Sequence, residues 1–287
     1  MRLFVLTLAA MIAFASNSLL CRLALKHTDI DAASFTFIRI FSGAVTLWLI
    51  LRIQGMLRVE RTASPLVEGN WWSGLALFAY AAAFSFAYNT LSAGTGALLL
   101  FGAVQATMIL WGLHKGERLH ALQIAGLVVA VSGLVVLVFP GLSAPPLVGS
   151  ILMLGAGVAW GIYSLRGKGE TNPAAATTGN FMRAVPFSAG ISIILMPWAQ
   201  LDRAGISYAI VSGAITSGLG YVIWYTALPG LKAASAATVQ LSVPVLAAAG
   251  GILLLGEPLT LRFLFASMAV VGGIALVVVN LRPAKSG

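Results

Sequence analysis

Charge is what this chain has least of. Only 9% of its 287 residues are Asp, Glu, Lys or Arg, against roughly 25% in an ordinary soluble domain, and a water-facing surface cannot be assembled from so few. Acids are the scarcer sign. Asp29, Asp31, Glu60, Glu68, Glu117, Glu170, Asp202 and Glu257 are all eight of them, and every one falls between apolar runs or at the end of one. The embedded Asp or Glu that proton- and cation-coupled carriers commonly use is therefore missing. Cys21 is the single cysteine, which excludes an intrachain disulfide and a multi-thiolate metal site. The chain has no H-E-x-x-H, no paired-aspartate motif and no Cys/His cluster, so the usual constellations of an intramembrane enzyme are excluded and no cofactor or metal is expected. His27, His114 and His120 lie at run ends, where a solvated interfacial role is expected. No polar linker divides the chain.

Hydrophobic residues fill the space that charge leaves. They make up 59% of the chain, in runs that recur at the roughly twenty residues needed to cross a bilayer. The expected fold is all-α and integral to the membrane, with transmembrane helices near 3–24, 32–53, 71–91, 95–113, 121–139, 147–166, 176–199, 206–227, 234–255 and 261–281. Residues 1–24 lack the cleavage site and polar continuation of a secretory signal and read as a retained first helix. The seventh span is the weakest, since it contains Arg183, Pro186 and Pro197. A lipid bilayer is the first partner implied.

The net charge of +9 does not point to nucleic acid, because the basic residues lie mostly in the short gaps and read as topology signals. One set of alternating gaps holds Arg2, Arg52, Arg58, Arg61, Lys115, Arg118, Arg166, Lys168, Lys232, Arg282 and Lys285, the other only Arg22, Lys26, Arg203 and Arg262. Eleven against four places both termini in the cytoplasm under the positive-inside rule.

The chain also repeats itself. Phe37-Ile38-Arg39 in span two recurs as Phe181-Met182-Arg183 in span seven, and Lys115-Gly116-Glu117-Arg118-Leu119 as Leu255-Gly256-Glu257-Pro258-Leu259. The offset of 140 between those two turns also carries Gly133 onto Gly273, while Tyr88 and Leu91 find Tyr225 and Leu228. The expected units are residues 1–140 and 147–287, each of five spans. An odd number reverses direction, so the two are expected to be inverted repeats, with a site near the midplane between them.

With ten spans, two five-helix repeats and a Gly-Glu-x-Leu turn opening the last helix of each, the chain resembles the EamA-type members of the drug/metabolite transporter superfamily over essentially its whole length. Within that superfamily it is most similar to bacterial exporters of amino acids, aromatic ones included. The resemblance implies a basket-like bundle in the bacterial inner membrane, alternating access and outward movement of a small organic solute. It departs from the small multidrug branch, which relies on an acid in its first helix, where this chain has Phe14, Ser16 and Asn17. Facilitated or exchange transport is therefore expected. A channel for small neutral solutes and an exporter of uncharged drugs or nucleobases remain alternatives, and no oligomeric state follows.

The expected substrate-binding residues are aromatic and amide groups near span centres: Phe14, Asn17, Tyr80, Phe84, Gln105, Trp160, Tyr163, Tyr221, Trp224 and Gln240. Aromatic faces suit a flat apolar solute while amides and phenols fix its polar end. An amide facing lipid would leave donors unpaired, although helix–helix hydrogen bonding accounts for such amides equally well. Trp71 and Trp72 open a span and read as interfacial belt residues. Arg39 and Arg183, the only charges inside spans, are expected to pair or snorkel outward, Arg39 lying about 10 Å from a span end, with a substrate-carboxylate anchor as the functional alternative. Glu117 and Glu257 are expected to cap spans five and ten, and the Gly157/Gly161 and Gly126/Gly133 faces to pack helices closely.

The topology has a direct test. On a Cys21-free background, cysteines at positions 116 and 168 should react with an impermeant thiol reagent only after permeabilisation. Labelling of either from the periplasm in intact cells reverses the assignment.

Overall fold

The computed structural model describes residues 2–57, 67–116, 118–141, 144–167, 170, 172–231 and 239–279. Lipid offers a backbone no hydrogen-bond partner, so each spanning segment must satisfy its own amides and carbonyls. Among the described residues the regular structure is accordingly helical throughout. The helices are α1 (Arg2–His27), α2 (Ala32–Leu57), α3 (Trp71–Tyr88), α4 (Ala93–His114), α5 (Ala121–Val138), α6 (Leu147–Gly167) and α7 (Pro173–Ile194). They continue with α8 (Arg203–Ala227), α9 (Ser242–Leu255) and α10 (Leu261–Val279). Six of them, α1, α2, α4, α5, α6 and α8, are long and apolar enough to cross a bilayer by length and composition, and α9 and α10 are shorter apolar helices. The ten helices fit the ten expected spans, and the chain is a multi-pass membrane protein.

Local chemistry explains where helices begin. Asn70, Ser92, Asn172 and Asp202 each accept a hydrogen bond from an amide of the first turn they precede, satisfying donors the helix leaves open. Pro173 follows Asn172 at the first helical position, where its missing N–H costs nothing. α7 runs on through Pro186 but stops at Ile194, so Pro197 falls in a short 3₁₀ turn, Met196–Trp198, rather than inside the expected span. The expected ninth span begins in residues outside the described set, and 239–240 are helical ahead of α9. α9 ends at Gly256, whose φ of 63° is the left-handed cap glycine adopts without strain.

Asp31 caps α2 with one carboxylate oxygen, accepting from the amides of Ala33 and Ser34, and receives the Gln200 amide on the other. It thereby ties the α1–α2 turn to the α7–α8 turn. Burial pushes its pKa up, but the hydrogen bonds from Ser34, Gln200 and Ala33 outweigh that and hold it below the usual carboxylate value. Its stabilisation is complete above the ordinary carboxylate pKa and is lost as pH falls through the lowered one.

The two Glu expected to cap spans five and ten part company. Glu117 lies outside the described residues. Glu257 does not cap α10, which begins four residues later; its carboxylate is 7% exposed, accepts the Ala93 amide at the start of α4 at 2.8 Å, and pairs with Arg22 of α1 at 3.2 Å. Arg22 also donates to the carbonyls of Tyr88 and Asn89. One acid and one base thus fasten α1, α3, α4 and the α9–α10 turn at one end of the bundle. At the other end Arg166 donates to Ser73 and Asn70, and Arg183 to the carbonyls of Glu68 and Gly179. Arg183 is therefore held structurally, as expected.

Packing between helices uses small residues. α3 and α4 lie against α6, α1 against α8 and α9, α2 against α7 and α8, and α5 against α10. A Cβ at Gly157 would come 2.5 Å from the Leu100 carbonyl of α4, and one at Gly126 would come 2.6 Å from the Gly273 carbonyl of α10. Backbone fills the space a methyl group would need. Gly126→Ala should therefore destabilise the α5–α10 pair by on the order of 1–3 kcal/mol, despite alanine's better helix propensity. Gly155→Ala on α6, where a Cβ meets nothing within 4 Å, should instead be neutral or stabilising by about 0.5–1 kcal/mol. Thermal unfolding of the two purified variants in detergent checks the contrast.

Candidate functional site

Midway along the bundle α8 changes its winding. Residues Ser212–Leu219 form a π-helical stretch between the α-helical Arg203–Val211 and Gly220–Ala227, a distortion that recurs at functional sites because it re-aims side chains. It delivers Ser212, Thr216 and Ser217 to the interior, all buried. Gly213, in the same stretch, lets α8 approach α2 so closely that any Cβ there would collide with Arg39 backbone and the Ser42 hydroxyl.

Asn17 of α1 is the hub of the polar centre. It is 6% exposed; its carbonyl oxygen accepts from the Ser212 hydroxyl at 2.7 Å and has the Thr216 hydroxyl at 3.2 Å, and its amide nitrogen donates to the Tyr80 hydroxyl at 3.4 Å. The amide therefore joins α1 to α8 and α3, which is the hydrogen-bonding role weighed for it. The same Tyr80 oxygen accepts from Nη2 of Arg39 at 3.0 Å, while Nε of Arg39 donates to Ser217 at 3.3 Å.

Of the two outcomes expected for Arg39, pairing or snorkelling, the structure shows pairing. It is 2% exposed, with its guanidinium carbon 4.9 Å from the Phe84 ring centre and 5.3 Å from that of Tyr80. Depth counted along α2 was a poor guide, because the face of the helix that carries Arg39 turns inward onto α3 and α8. Two of its three nitrogens find hydroxyls; Nη1 is buried without a partner.

Around this polar group runs a continuous set of aromatic rings. Trp160 of α6 lies 4.8 Å from Tyr80, 5.3 Å from Tyr163 in a stacked pair and 5.2 Å from Tyr221. Phe14 contacts Tyr221 and Trp224 edge-on at 5.9 and 6.0 Å, and Phe84 meets Tyr80 at 5.4 Å. Between the rings is a cavity of about 20 Å³, room for about one water. Phe14, Asn17, Tyr80, Phe84, Trp160 and Tyr221 line it, and so do Ser18, Leu100, Phe101, Thr216 and Ser217. A wider cleft of about 190 Å³ opens elsewhere, between Thr90, Pro146, Glu257 and Phe263 near the Arg22 end.

Eight of the ten residues singled out from sequence thus converge, six on the cavity wall and Tyr163 and Trp224 through ring contacts. Gln105 is buried on α4 but does not line the cavity, and Gln240 is half-buried ahead of α9 and away from it. Ser18, Thr216 and Ser217 line the cavity outside the expected set, and Arg39, for which a carboxylate anchor is the alternative expectation, is bonded to its wall. The signal for Thr216 and Ser217 was present as a hydroxyl-rich run, Ser212 to Ser217, within an apolar span. Trp71 and Trp72 are exposed on the bundle surface, as a belt position requires. Among the described residues the cavity wall carries no carboxylate and no cluster suited to a metal ion.

Comparison with known proteins agrees with this architecture. An uncharacterized protein of Pseudomonas aeruginosa is 55% identical over 276 residues, covering 96% of this chain and 94% of its own length. The "Probable amino-acid metabolite efflux pump" of Escherichia coli is 29% identical over 230 residues, covering 73% of this chain and 77% of its own. A solved crystal structure superposes over 96% of both chains with a TM-score of 0.63 at 17% identity, a likeness of fold. Residues 147–279 match the EamA-like transporter family, and the chain belongs to that family.

Proposed function

We propose that this transporter exports small metabolites, amino acids including aromatic ones, by alternating access across the bacterial inner membrane with both termini cytoplasmic. Among amino acid exporters, the aromatic amino acid exporter YddG is the one on which this proposal is patterned. The observation that carries the reading is the central cavity: helices from both halves of the chain contribute rings and hydrogen-bonding groups to one small space. Residues 1–140 supply Phe14, Asn17, Tyr80 and Phe84, and residues 147–287 supply Trp160, Thr216, Ser217 and Tyr221.

The helix contacts support two inverted units. Exchanging each helix for the one five places along maps the α3–α6 contact onto α8–α1, α4–α6 onto α9–α1 and α2–α8 onto α7–α3, while α2–α7, α4–α9 and α5–α10 map onto themselves. Such pairing leaves a central site that either unit can expose by rocking against the other. At about 20 Å³ the cavity is narrower than an amino acid requires, so binding needs the helices around it to part.

Two experiments test the reading. In proteoliposomes, Trp160→Ala and Tyr221→Ala should each weaken counterflow of labelled tryptophan, because a lost ring contact removes roughly 0.5–1.5 kcal/mol beyond area burial, or about two- to tenfold in affinity. Trp71→Ala is the control and should leave it unchanged; the reverse pattern in folded variants rejects the central site. The second concerns energy. Since no carboxylate stands on the cavity wall, a proton or sodium gradient imposed without a substrate gradient should not concentrate a neutral amino acid. Robust accumulation under either gradient, with membrane potential clamped, argues for a coupled mechanism.

A further inference from the structure

We infer that Arg39 anchors the carboxylate of the substrate, so that the site selects amino acids over the corresponding amines. The inference rests on the central cavity being the substrate site, and it names the chemical class that the cavity takes.

A guanidinium buried without a counter-charge is costly unless a partner arrives. Arg39 is 2% exposed, its Nη1 has no hydrogen-bond partner, and the one ion pair among the described residues, Arg22 with Glu257, is elsewhere. What surrounds Arg39 is neutral: the Tyr80 and Ser217 hydroxyls and the faces of Tyr80 and Phe84. Arg183, its counterpart in the sequence repeat, differs in being bonded to two carbonyls. The unsatisfied cation is therefore particular to the centre of the bundle.

The hydrogen-bond directions say what kind of group is missing. Tyr80 and Ser217 both accept from Arg39, so each keeps its own O–H to donate, and among the described residues neither donates to an acceptor. Both residues line the cavity, whereas Arg39, bonded to their hydroxyls, does not. Asn17 adds its amide nitrogen to the same Tyr80 oxygen, and its carbonyl is already taken up by Ser212 and Thr216. The polar wall is thus rich in hydroxyl donors, those of Ser18 and Thr216 included, and is backed by a positive charge. That is the complement of a carboxylate, which is acceptor-only. A carboxylate first meets the Tyr80 and Ser217 hydroxyls, whose donor strength the adjacent cation raises. As the cavity widens and Tyr80 withdraws, Nη2 released from Tyr80 and the free Nη1 can form a bidentate fork on the two oxygens. The flat remainder of the solute then lies toward Trp160, Tyr221 and Phe14.

The test reads discrimination, which a packing role would not move. Binding of labelled tryptophan and of tryptamine, its decarboxylated counterpart, is measured on the purified full-length protein in detergent. Wild type should bind the acid at least tenfold more tightly than the amine. Arg39→Gln should abolish that preference by weakening tryptophan alone, and Arg39→Lys should retain part of it. Should Arg39→Gln fail to fold by circular dichroism, Ser217→Ala and Tyr80→Phe, which keep the guanidinium, should each reduce the preference severalfold. Equal binding of acid and amine by wild type, or a preference that survives in the folded variants, overturns the anchor and leaves the transport reading standing. Absence of binding to tryptophan, tryptamine and a panel of labelled amino acids and nucleobases overturns both.

Discussion

A side chain that turns into this bundle must find its hydrogen-bond partner in another helix, because the lipid around the helices offers none. That constraint organises the centre of the molecule. Asn17 joins α1 to α3 and α8, Arg39 joins α2 to the same two helices, and the π-helical stretch of α8 brings the hydroxyls that both require. A regular α-helix advances 100° per residue and would turn Ser212, Thr216 and Ser217 onto a different spread of directions. The irregular winding is what gives four helices a shared polar seam.

The ends of the bundle obey the same constraint with different chemistry. At one end Arg22, Glu257 and the Ala93 amide join α1, α3, α4 and the α9–α10 turn, and Asp31 with Gln200 joins the α1–α2 and α7–α8 turns. At the other, Arg166 and Arg183 hold the segment before α3 through side-chain and carbonyl oxygens, and the Asn180 side chain accepts the Asn70 amide. Charged groups are thus fastened near the helix ends, while the centre relies on one cation among neutral hydroxyls and rings.

How much of this could be read from sequence depends on what each residue's position encodes. Apolar run length encodes a crossing, so the spans were legible, and the centre of a run encodes depth, so Phe14, Asn17, Tyr80, Phe84, Trp160 and Tyr221 could be placed together before any coordinates. Depth does not encode direction around the helix. Gln105 and Gln240 sit at central depth yet miss the cavity, and Arg39, placed by depth near a span end, turns inward. Ser217 was hidden by the π-helical turn, which breaks the 3.6-residue period that any reading of faces assumes. Glu257 was misjudged for a related reason: its place before the last helix suggested a cap for that helix, whereas folding brings the first residue of α4 nearer.

The closed centre links binding to movement. A cavity of about 20 Å³ admits a solute only if helices separate, and separating α3 from α1 and α2 breaks the bonds that the Tyr80 oxygen receives from Asn17 and Arg39. A neutral hydrogen bond is worth roughly 0.5–1.5 kcal/mol net, and one to a charged group roughly 1.5–3, so opening the site forfeits those bonds unless water or a solute replaces them. A solute that brings acceptors of its own replaces those bonds as they break, and thereby binds the widened state better than the closed one. Only such differential affinity can shift a conformational equilibrium. On the proposed reading, a solute that carries an anionic group stabilises the widened state through Arg39 and one that lacks it does not, which restrains passage of solutes without the matching group.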